Sequence, residues 1–259
     1  MSLRVLLSLF LLFFSFKVTA QNLTERRSGY LDMGRETRAM QDDDATNPAM
    51  LWVLDGEALW NRKAGGADGT GRACADCHGE ATKSMKGVAA RYPVFNDLYK
   101  RPINLEQRIN ACRVEQQRAA PFVYESRDLL AITAFVGLQS RGLPAAVSAD
   151  EKTRPFIEAG RAAYNRRQGQ LNIACAQCHE QRAGAKLAGN AIPQGHATGY
   201  PLYRLEWQGL GSLQRRLRNC MNGIRAEAYA YGAPEMVELE LYLMWRARGM
   251  KLEIPAVRP

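Results

Sequence analysis

Two features are scarce in this chain: long apolar runs and clustered positive charge. Beyond its first twenty residues, the 259-residue sequence has no apolar stretch that resembles a membrane-spanning helix. Basic residues are in excess, with a formal net charge of +9, but they are scattered along the chain. Proteins that bind nucleic acid instead concentrate Lys and Arg on one face. We therefore predict neither a membrane anchor nor a nucleic-acid partner.

The amino terminus carries the one short apolar run. Arg4 precedes a stretch rich in Leu and Phe, and Val18, Thr19 and Ala20 follow it. The stretch is shorter than the roughly 20 residues that span a bilayer, and a basic start with a small-residue ending is typical of a secretory signal. We predict that residues 1–20 are a signal peptide cleaved after Ala20; an uncleaved anchor is the alternative.

The rest of the chain is an internal duplication. The segment GEALWNR at 56–62 matches GRAAYNR at 160–166, and each precedes a C-x-x-C-H motif. Tyr-Pro pairs at 92–93 and 200–201 follow the motifs, each ahead of one further cysteine. A copy is large enough for a small domain, but such a domain is marginal unless something besides its apolar core stabilises it.

The repeated motif is the attachment sequence of c-type haem. Its two thiols add to the vinyl groups on one haem edge, and the adjacent His binds the iron. A zinc knuckle or a thioredoxin-like redox pair also uses C-x-x-C, but neither explains a His after both motifs. We predict two covalently attached c-type haems. The residues are Cys74, Cys77 and His78 in the first copy and Cys175, Cys178 and His179 in the second.

Methionine is missing where many c-type cytochromes have their second iron ligand. No Met recurs at matched places in the two copies, whereas a cysteine does, as Cys112 and Cys220. We predict His78/Cys112 and His179/Cys220 ligation of the two irons. The alternative is a Cys112–Cys220 disulfide, because unassigned cysteines in an oxidising compartment commonly pair.

An arginine stands four residues before each of these cysteines. Arg216 and Cys220 fall on one face if the segment is helical, and Arg108 and Cys112 do the same. A guanidinium beside the thiol favours the thiolate and can bind an anionic substrate oxygen. A solvated surface charge is the alternative for either arginine, and the spacing alone does not say which copy reacts.

The element pattern predicts a mainly α fold of two tandem cytochrome c-like domains. Each copy contains a helix, a motif loop, an irregular stretch, a short helix with the later cysteine, and an amphipathic helix. We place the domains at 50–147 and 148–259, with a linker at 144–155. Residues 21–49 are polar and are expected to form an extended arm with little core of its own.

The chain resembles the SoxA family, dihaem subunits of the periplasmic SoxAX cytochromes of sulfur-oxidising bacteria. The resemblance covers essentially the whole mature chain. It rests on both motifs, the later cysteines, the segment RRLRNCMNGIRAEAYAYGAPEMVELELYLMWRARG and the closing IPAVRP. It implies a periplasmic L-cysteine S-thiosulfotransferase that joins thiosulfate to a cysteine of a SoxYZ-like carrier. It also implies a heterodimer with a SoxX-like cytochrome c subunit and a small cytochrome c as electron acceptor.

The resemblance assigns the reaction to the second copy, with Cys220 and Arg216 as catalytic residues. Only this copy follows its cysteine with MNGIRAE, in which Arg225 adds a cation, whereas Glu115 follows Cys112 and weakens an anion site by repulsion. The alternatives are a thiosulfate dehydrogenase that forms tetrathionate and a plain dihaem electron carrier. The first typically uses Met at its other haem, so the matched Cys112 argues against it.

Overall fold

The computed structural model describes residues 26–65 and 71–259. The predicted signal peptide, at residues 1–20, lies outside this range. Within the described residues, every helix is too short or too polar to cross a membrane.

The first half of the chain is mainly helical. Its helices and strands are α1 (Arg35–Asp42), α2 (Met50–Asn61), α3 (Cys74–His78), α4 (Ala81–Ser84), β1 (Val94–Asn96), β2 (Arg101–Ile103), α5 (Leu105–Glu115) and α6 (Arg127–Leu138). A 3₁₀ turn at Ala89–Arg91 precedes β1. Strands β1 and β2 pair antiparallel, with Val94 opposite Ile103.

The second half repeats this order with additional short strands. Its elements are α7 (Arg154–Asn165), α8 (Cys175–His179), β3 (Lys186–Leu187), β4 (Asn190–Ala191), β5 (Leu202–Arg204), β6 (Gly209–Gly211), α9 (Leu213–Gly223), α10 (Pro234–Arg246) and β7 (Ala256–Arg258). Strand β5 is central, antiparallel to β6 and parallel to β7. Both C-x-x-C-H segments, predicted as loops, form the short helices α3 and α8.

Matched glycines show that the two halves pack alike. Helix α2 packs on α6, and α7 packs on α10. A Cβ at Gly56 would lie 2.2 Å from the carbonyl oxygen of Ala131, and one at Gly160 would lie 2.1 Å from that of Glu238. Because these distances are far inside van der Waals contact, each helix crossing requires a residue without a side chain.

Helix α6 supplies much of the first half's core. The four residues predicted from its periodicity, Leu129, Ile132, Phe135 and Val136, are all buried, which confirms that prediction. One apolar core runs through both halves, because Ile254 of the second half packs over Gly137 of α6. The halves are therefore not separate globules joined by a tether.

The segment predicted as a linker is part of this shared core. The Ala145 amide donates to the Met250 carbonyl at 2.9 Å, and the Gly249 amide donates to the Ala145 carbonyl at 2.9 Å. Ala145 and Val147 are buried. The segment joins the copies in sequence, but its backbone is paired with the carboxy-terminal part of the chain.

The amino-terminal segment is only partly the extended arm that we expected. Residues 35–42 form helix α1, and Met33 and Ala49 are buried. The Asn47 side chain donates to the Pro255 carbonyl at 3.1 Å, and the Val257 amide donates to Gln41 at 3.0 Å. Polar side chains of the segment thus satisfy backbone groups around β7, which is why the segment folds onto the second half without a core of its own.

Candidate functional site

The motif helices are fixed by the same capping contact in both halves. In α3 the Ala73 amide donates to the Asp76 carboxylate at 2.8 Å, and in α8 the Ala174 amide donates to the Gln177 side chain at 2.9 Å. Each contact closes the first turn of a helix whose two cysteines are three positions apart. Residues at this spacing share a helix face, so both thiols can reach one haem edge.

The first site is a cavity of about 340 Å³. Cys74 and His78 of α3 line it, together with Cys112 of α5. Apolar side chains of α2, α5 and α6 form much of the remaining wall, and Arg91 and Arg108 add positive charge that suits haem propionates. A haem requires an apolar pocket with an imidazole and a second donor, so the residues present fit a c-type haem.

The second site brings His179 of α8 against Cys220 of α9. His179 Nδ1 lies 2.8 Å from the Pro193 carbonyl oxygen. A carbonyl only accepts hydrogen bonds, so Nδ1 carries the proton and Nε2 is left free as a ligand atom. The Cys220 side chain hydrogen-bonds the His179 ring. One imidazole and one sulfur donor therefore meet here, and this donor set fits a haem iron as it does in the first half.

Gly195 allows the His179 ring to take this place. Its φ of +72° lies in the left-handed region, and a Cβ there would lie 3.3 Å from the ring carbon Cγ and 3.4 Å from Nδ1. Both the backbone conformation and the close approach favour glycine. The segment 193–195 thus determines the orientation of the imidazole through a hydrogen bond and a steric limit.

The charges around Cys220 favour its thiolate. Burial raises the pKa of the Cys220 thiol, but the His179 hydrogen bond and the positive charges of Arg216 and Arg204 outweigh burial. The net effect is a pKa below the ordinary value of 9.0. A lowered pKa is typical of reactive cysteines and of thiols that serve as metal ligands.

Cys112 has the opposite electrostatic environment. Burial raises its pKa, Arg108 lowers it, and Glu115 raises it again, so the net direction is upward. The negative charge of Glu115 thus opposes the thiolate form of Cys112. Arg108 is exposed whereas Arg216 is half-buried, and solvent screens an exposed charge more strongly.

Each later cysteine lies beside the motif of its own half. Cys112 interacts with Cys74 and Cys77, and Cys220 interacts with Cys175, whose pKa burial and the Cys220 charge raise to about 11. All six cysteines are free, so the alternative of a Cys112–Cys220 disulfide is not found.

Comparisons with known proteins agree with this architecture. The model of the SoxA/TsdA cytochrome c domain matches residues 55–145 and 159–252. An L-cysteine S-thiosulfotransferase subunit SoxA from Pseudaminobacter salicylatoxidans is 40% identical over 90% of this chain and 81% of its own length. The one from Rhodovulum sulfidophilum is 37% identical over 92% of this chain and 82% of its own length. The chain belongs to the SoxA family.

A solved member supports the same conclusion for the fold. The crystal structure of SoxXA from P. pantotrophus matches with a TM-score of 0.85 and 33% identity, over 90% of this chain and 87% of that one. The predicted family and the predicted mainly α fold of two cytochrome c domains are confirmed. A cytochrome c domain of the SoxA family implies c-type haem as the cofactor.

The sequence analysis named Arg225 as a further cation near Cys220 and did not name Arg204. Arg225 is exposed in a turn with a φ of 56°, and the arginines that lower the Cys220 pKa are Arg216 and Arg204. Arg204 lies on β5, outside the α9 segment that carries the family resemblance. Alignment of the two copies could have found it, because Asn96 stands at the same distance before Cys112.

Proposed function

We propose that the chain is the dihaem catalytic subunit of a periplasmic L-cysteine S-thiosulfotransferase. It joins thiosulfate to a cysteine of a SoxYZ-like carrier protein. The curated relatives described above are subunits of this enzyme. The observation that carries the proposal is the convergence of Cys220, His179 and Arg216, whose interactions lower the pKa of the Cys220 thiol.

The reaction balances as an oxidative conjugation. A sulfur–sulfur bond forms between the carrier cysteine and the outer sulfur of thiosulfate, the thiol loses its proton, and two electrons leave. A bound haem would supply the one-electron chemistry that carries these electrons to a small cytochrome c acceptor. A cysteine sulfur can act as a nucleophile or accept a further sulfur, which a methionine thioether cannot, so Cys220 suits this chemistry.

Arg216 has the binding role in this proposal. Its guanidinium is half-buried and acts on Cys220 electrostatically. The planar fork of donors complements the sulfonate oxygens of thiosulfate and places the anion beside the sulfur. The hydrogen bond from His179 Nδ1 to Pro193 holds the imidazole in its ligand orientation throughout.

The proposal includes two haems with His/Cys ligation. Cys74 and Cys77 would hold the first haem covalently, and His78 and Cys112 would bind its iron. Cys175 and Cys178 would hold the second, and His179 and Cys220 would bind its iron. Mass spectrometry of the mature protein tests the number, because two haems and one haem differ by a full haem mass. Electron paramagnetic resonance tests the ligation, because both sites should then give low-spin His/Cys signals.

The partners and the location also belong to the proposal. The matched crystal structure is of a SoxXA complex, which supports a heterodimer with a SoxX-like cytochrome c subunit. The amino-terminal signal sequence supports export to the periplasm. There the enzyme would meet the carrier, thiosulfate and the small cytochrome c acceptor.

A carrier-dependent assay tests the function directly. The purified heterodimer is mixed with thiosulfate and an electron acceptor, and the carrier is supplied either with its thiol free or alkylated. We expect thiosulfate consumption and a thiosulfonate adduct on the carrier only with the free thiol. Tetrathionate formed without carrier would instead indicate a thiosulfate dehydrogenase, and no thiosulfate consumption under either condition would indicate a plain electron carrier.

A further inference from the structure

Arg204 is a half-buried arginine whose guanidinium has one buried donor without a partner. It lies at the end of β5, and its side chain is 12% exposed. Nη2 pairs with the Glu206 carboxylate at 2.5 Å, and the guanidinium carbon lies 5.2 Å from the centre of the Trp207 ring. Its Nε is buried and has no hydrogen-bond partner. A buried donor without a partner is costly, so it is a candidate to bind a ligand.

The strand pairing brings Arg204 to the reactive cysteine. Arg204 lies opposite Gly209 on β6, and that strand leads through Ser212, which caps α9, into the helix that carries Arg216 and Cys220. The positive charges of Arg204 and Arg216 both act on the Cys220 thiol. Residues from a strand and a helix therefore approach the same sulfur.

The guanidiniums of Arg204 and Arg216 also act on each other electrostatically. Burial lowers the pKa of Arg204, and the positive charge of Arg216 lowers it further. Glu206, the carboxylate paired with Arg204, has a largely exposed side chain. Two neighbouring positive charges repel each other, and a bound anion relieves that repulsion.

The first half has no equivalent of this pair. Asn96 occupies the matched position on β1, and its side-chain oxygen accepts from the Leu98 amide at 2.9 Å and the Tyr99 amide at 3.1 Å. Asn96 thus stabilises a turn in the first half, whereas its counterpart in the second half, Arg204, is a cation that acts on the Cys220 sulfur.

We propose that Arg204 is a second substrate-binding residue and forms, with Arg216, a two-arginine site for the thiosulfate dianion at Cys220. The inference rests on the proposed function. Two forks of donors bind the sulfonate oxygens and leave the outer sulfur free to face Cys220. A pair of cations also favours a dianion over the monoanions that would compete for a single arginine.

The test compares four variants in the haem-loaded heterodimer: Arg204→Ala, Arg204→Lys, Glu206→Gln and Asn96→Ala. Thiosulfate binding is measured by titration calorimetry, and KM and kcat by the carrier-dependent assay. For Arg204→Ala we expect the thiosulfate Kd and KM to rise about 10- to 100-fold, since hydrogen bonds to charged groups are lost. The KM for the carrier, the haem spectrum and the melting temperature should be unchanged.

The other variants separate binding from structure. Arg204→Lys keeps the charge and should recover part of the affinity. Glu206→Gln removes the ion pair but leaves the Arg204 guanidinium in place, so the affinity for thiosulfate should be unchanged or higher. Asn96→Ala, at the matched position of the first half, should leave thiosulfate binding unchanged.

Three results would overturn the inference. The first is wild-type thiosulfate affinity in Arg204→Ala when the wild-type heterodimer binds and turns over thiosulfate. The second is an equal loss of thiosulfate affinity in Glu206→Gln, which would mean that the Arg204–Glu206 ion pair only stabilises the loop. The third is that Arg204→Lys binds thiosulfate as weakly as Arg204→Ala and that both variants have a lowered melting temperature. If the wild-type heterodimer itself does not bind thiosulfate, the proposed function fails together with this inference.

Discussion

His179 is half-buried and hydrogen-bonds Cys220, whereas its counterpart His78 is exposed at the edge of the first cavity. The arginine before each cysteine follows the same trend, since Arg216 is half-buried and Arg108 is exposed. Both halves retain the attachment motif and the later cysteine. What differs is how far water reaches the charged groups around the sulfur, and this determines how strongly they act on it.

Two residue exchanges between the copies increase this difference. Asn96 of the first half corresponds to Arg204 of the second, and Glu115, the last residue of α5, corresponds to Gly223, the last residue of α9. Both exchanges make the second site more positive. The two halves therefore share the motif and the later cysteine, whereas two neighbouring positions differ in charge.

The strongest test of the comparison exchanges the two cysteines for alanine one at a time. We expect Cys220→Ala to reduce carrier-dependent thiosulfate oxidation on the order of 1,000-fold or more, because the reacting sulfur is removed. Cys112→Ala should retain most of the activity. Haem content by mass spectrometry should be unchanged in both, since the attachment cysteines remain. Greater loss in Cys112→Ala than in Cys220→Ala would show that the first half reacts.

Substitution of the matched arginines, Arg216 and Arg108, gives the next largest effect. Arg216→Ala should raise the thiosulfate KM about 10- to 100-fold, because a half-buried charged donor is lost beside the anion. Arg108→Ala, the matched variant in the first half, should change it little. Steady-state kinetics over a range of thiosulfate concentrations provide the measurement. Equal effects of the two variants would contradict the assignment of the thiosulfate site to the second half.

A glycine pair tests the orientation of His179. Gly195→Ala introduces a Cβ against the imidazole, whereas Gly189→Ala has the same positive-φ strain with no atom within 4 Å. Each should lose about 1 kcal/mol of unfolding free energy from backbone strain. Only Gly195→Ala should also shift the reduction potential of the second haem, as followed by potentiometric titration. A shift of the same size in Gly189→Ala would mean that backbone strain, not the ring contact, is responsible.

The smallest effect concerns a contact between the halves. Asn104 donates to the buried Glu240 carboxylate at 3.1 Å. Burial, followed by repulsion from Glu106, raises the pKa of Glu240, and burial raises that of Glu106 to about 7. The folded state then binds more protons than the unfolded chain above the ordinary pKa of 4.5, so the free energy of unfolding should fall as the pH rises toward 7.

Urea unfolding at about pH 5 and about pH 7 measures this dependence. Glu240→Gln should flatten the decrease, because it removes a buried carboxylate and its repulsion on Glu106. Glu235→Gln, an exposed position on the same helix α10, is the control and should keep the wild-type slope. If Glu240→Gln keeps the wild-type slope of unfolding free energy against pH, the Glu240 and Glu106 carboxyl groups are not responsible for that slope.

Local patterns alone determined much of this protein. The two motifs, the short segments that recur in both copies and the buried face of α6 can all be recognised locally, because helix periodicity and the attachment of two thiols to one haem edge act over a few residues. The later cysteines could be identified as candidate ligands because each recurs after its own Tyr-Pro pair.

Only the tertiary structure decided which charges act on the Cys220 sulfur. Arg204 reaches it from β5, and the Pro193 carbonyl orients His179 from a separate loop. The supposed linker pairs with residues 249–252, and the amino-terminal segment packs on β7. These contacts join residues that are distant in the chain. Periodicity and motif spacing describe short segments and do not predict them, because the burial of the shared core determines how those segments pack together.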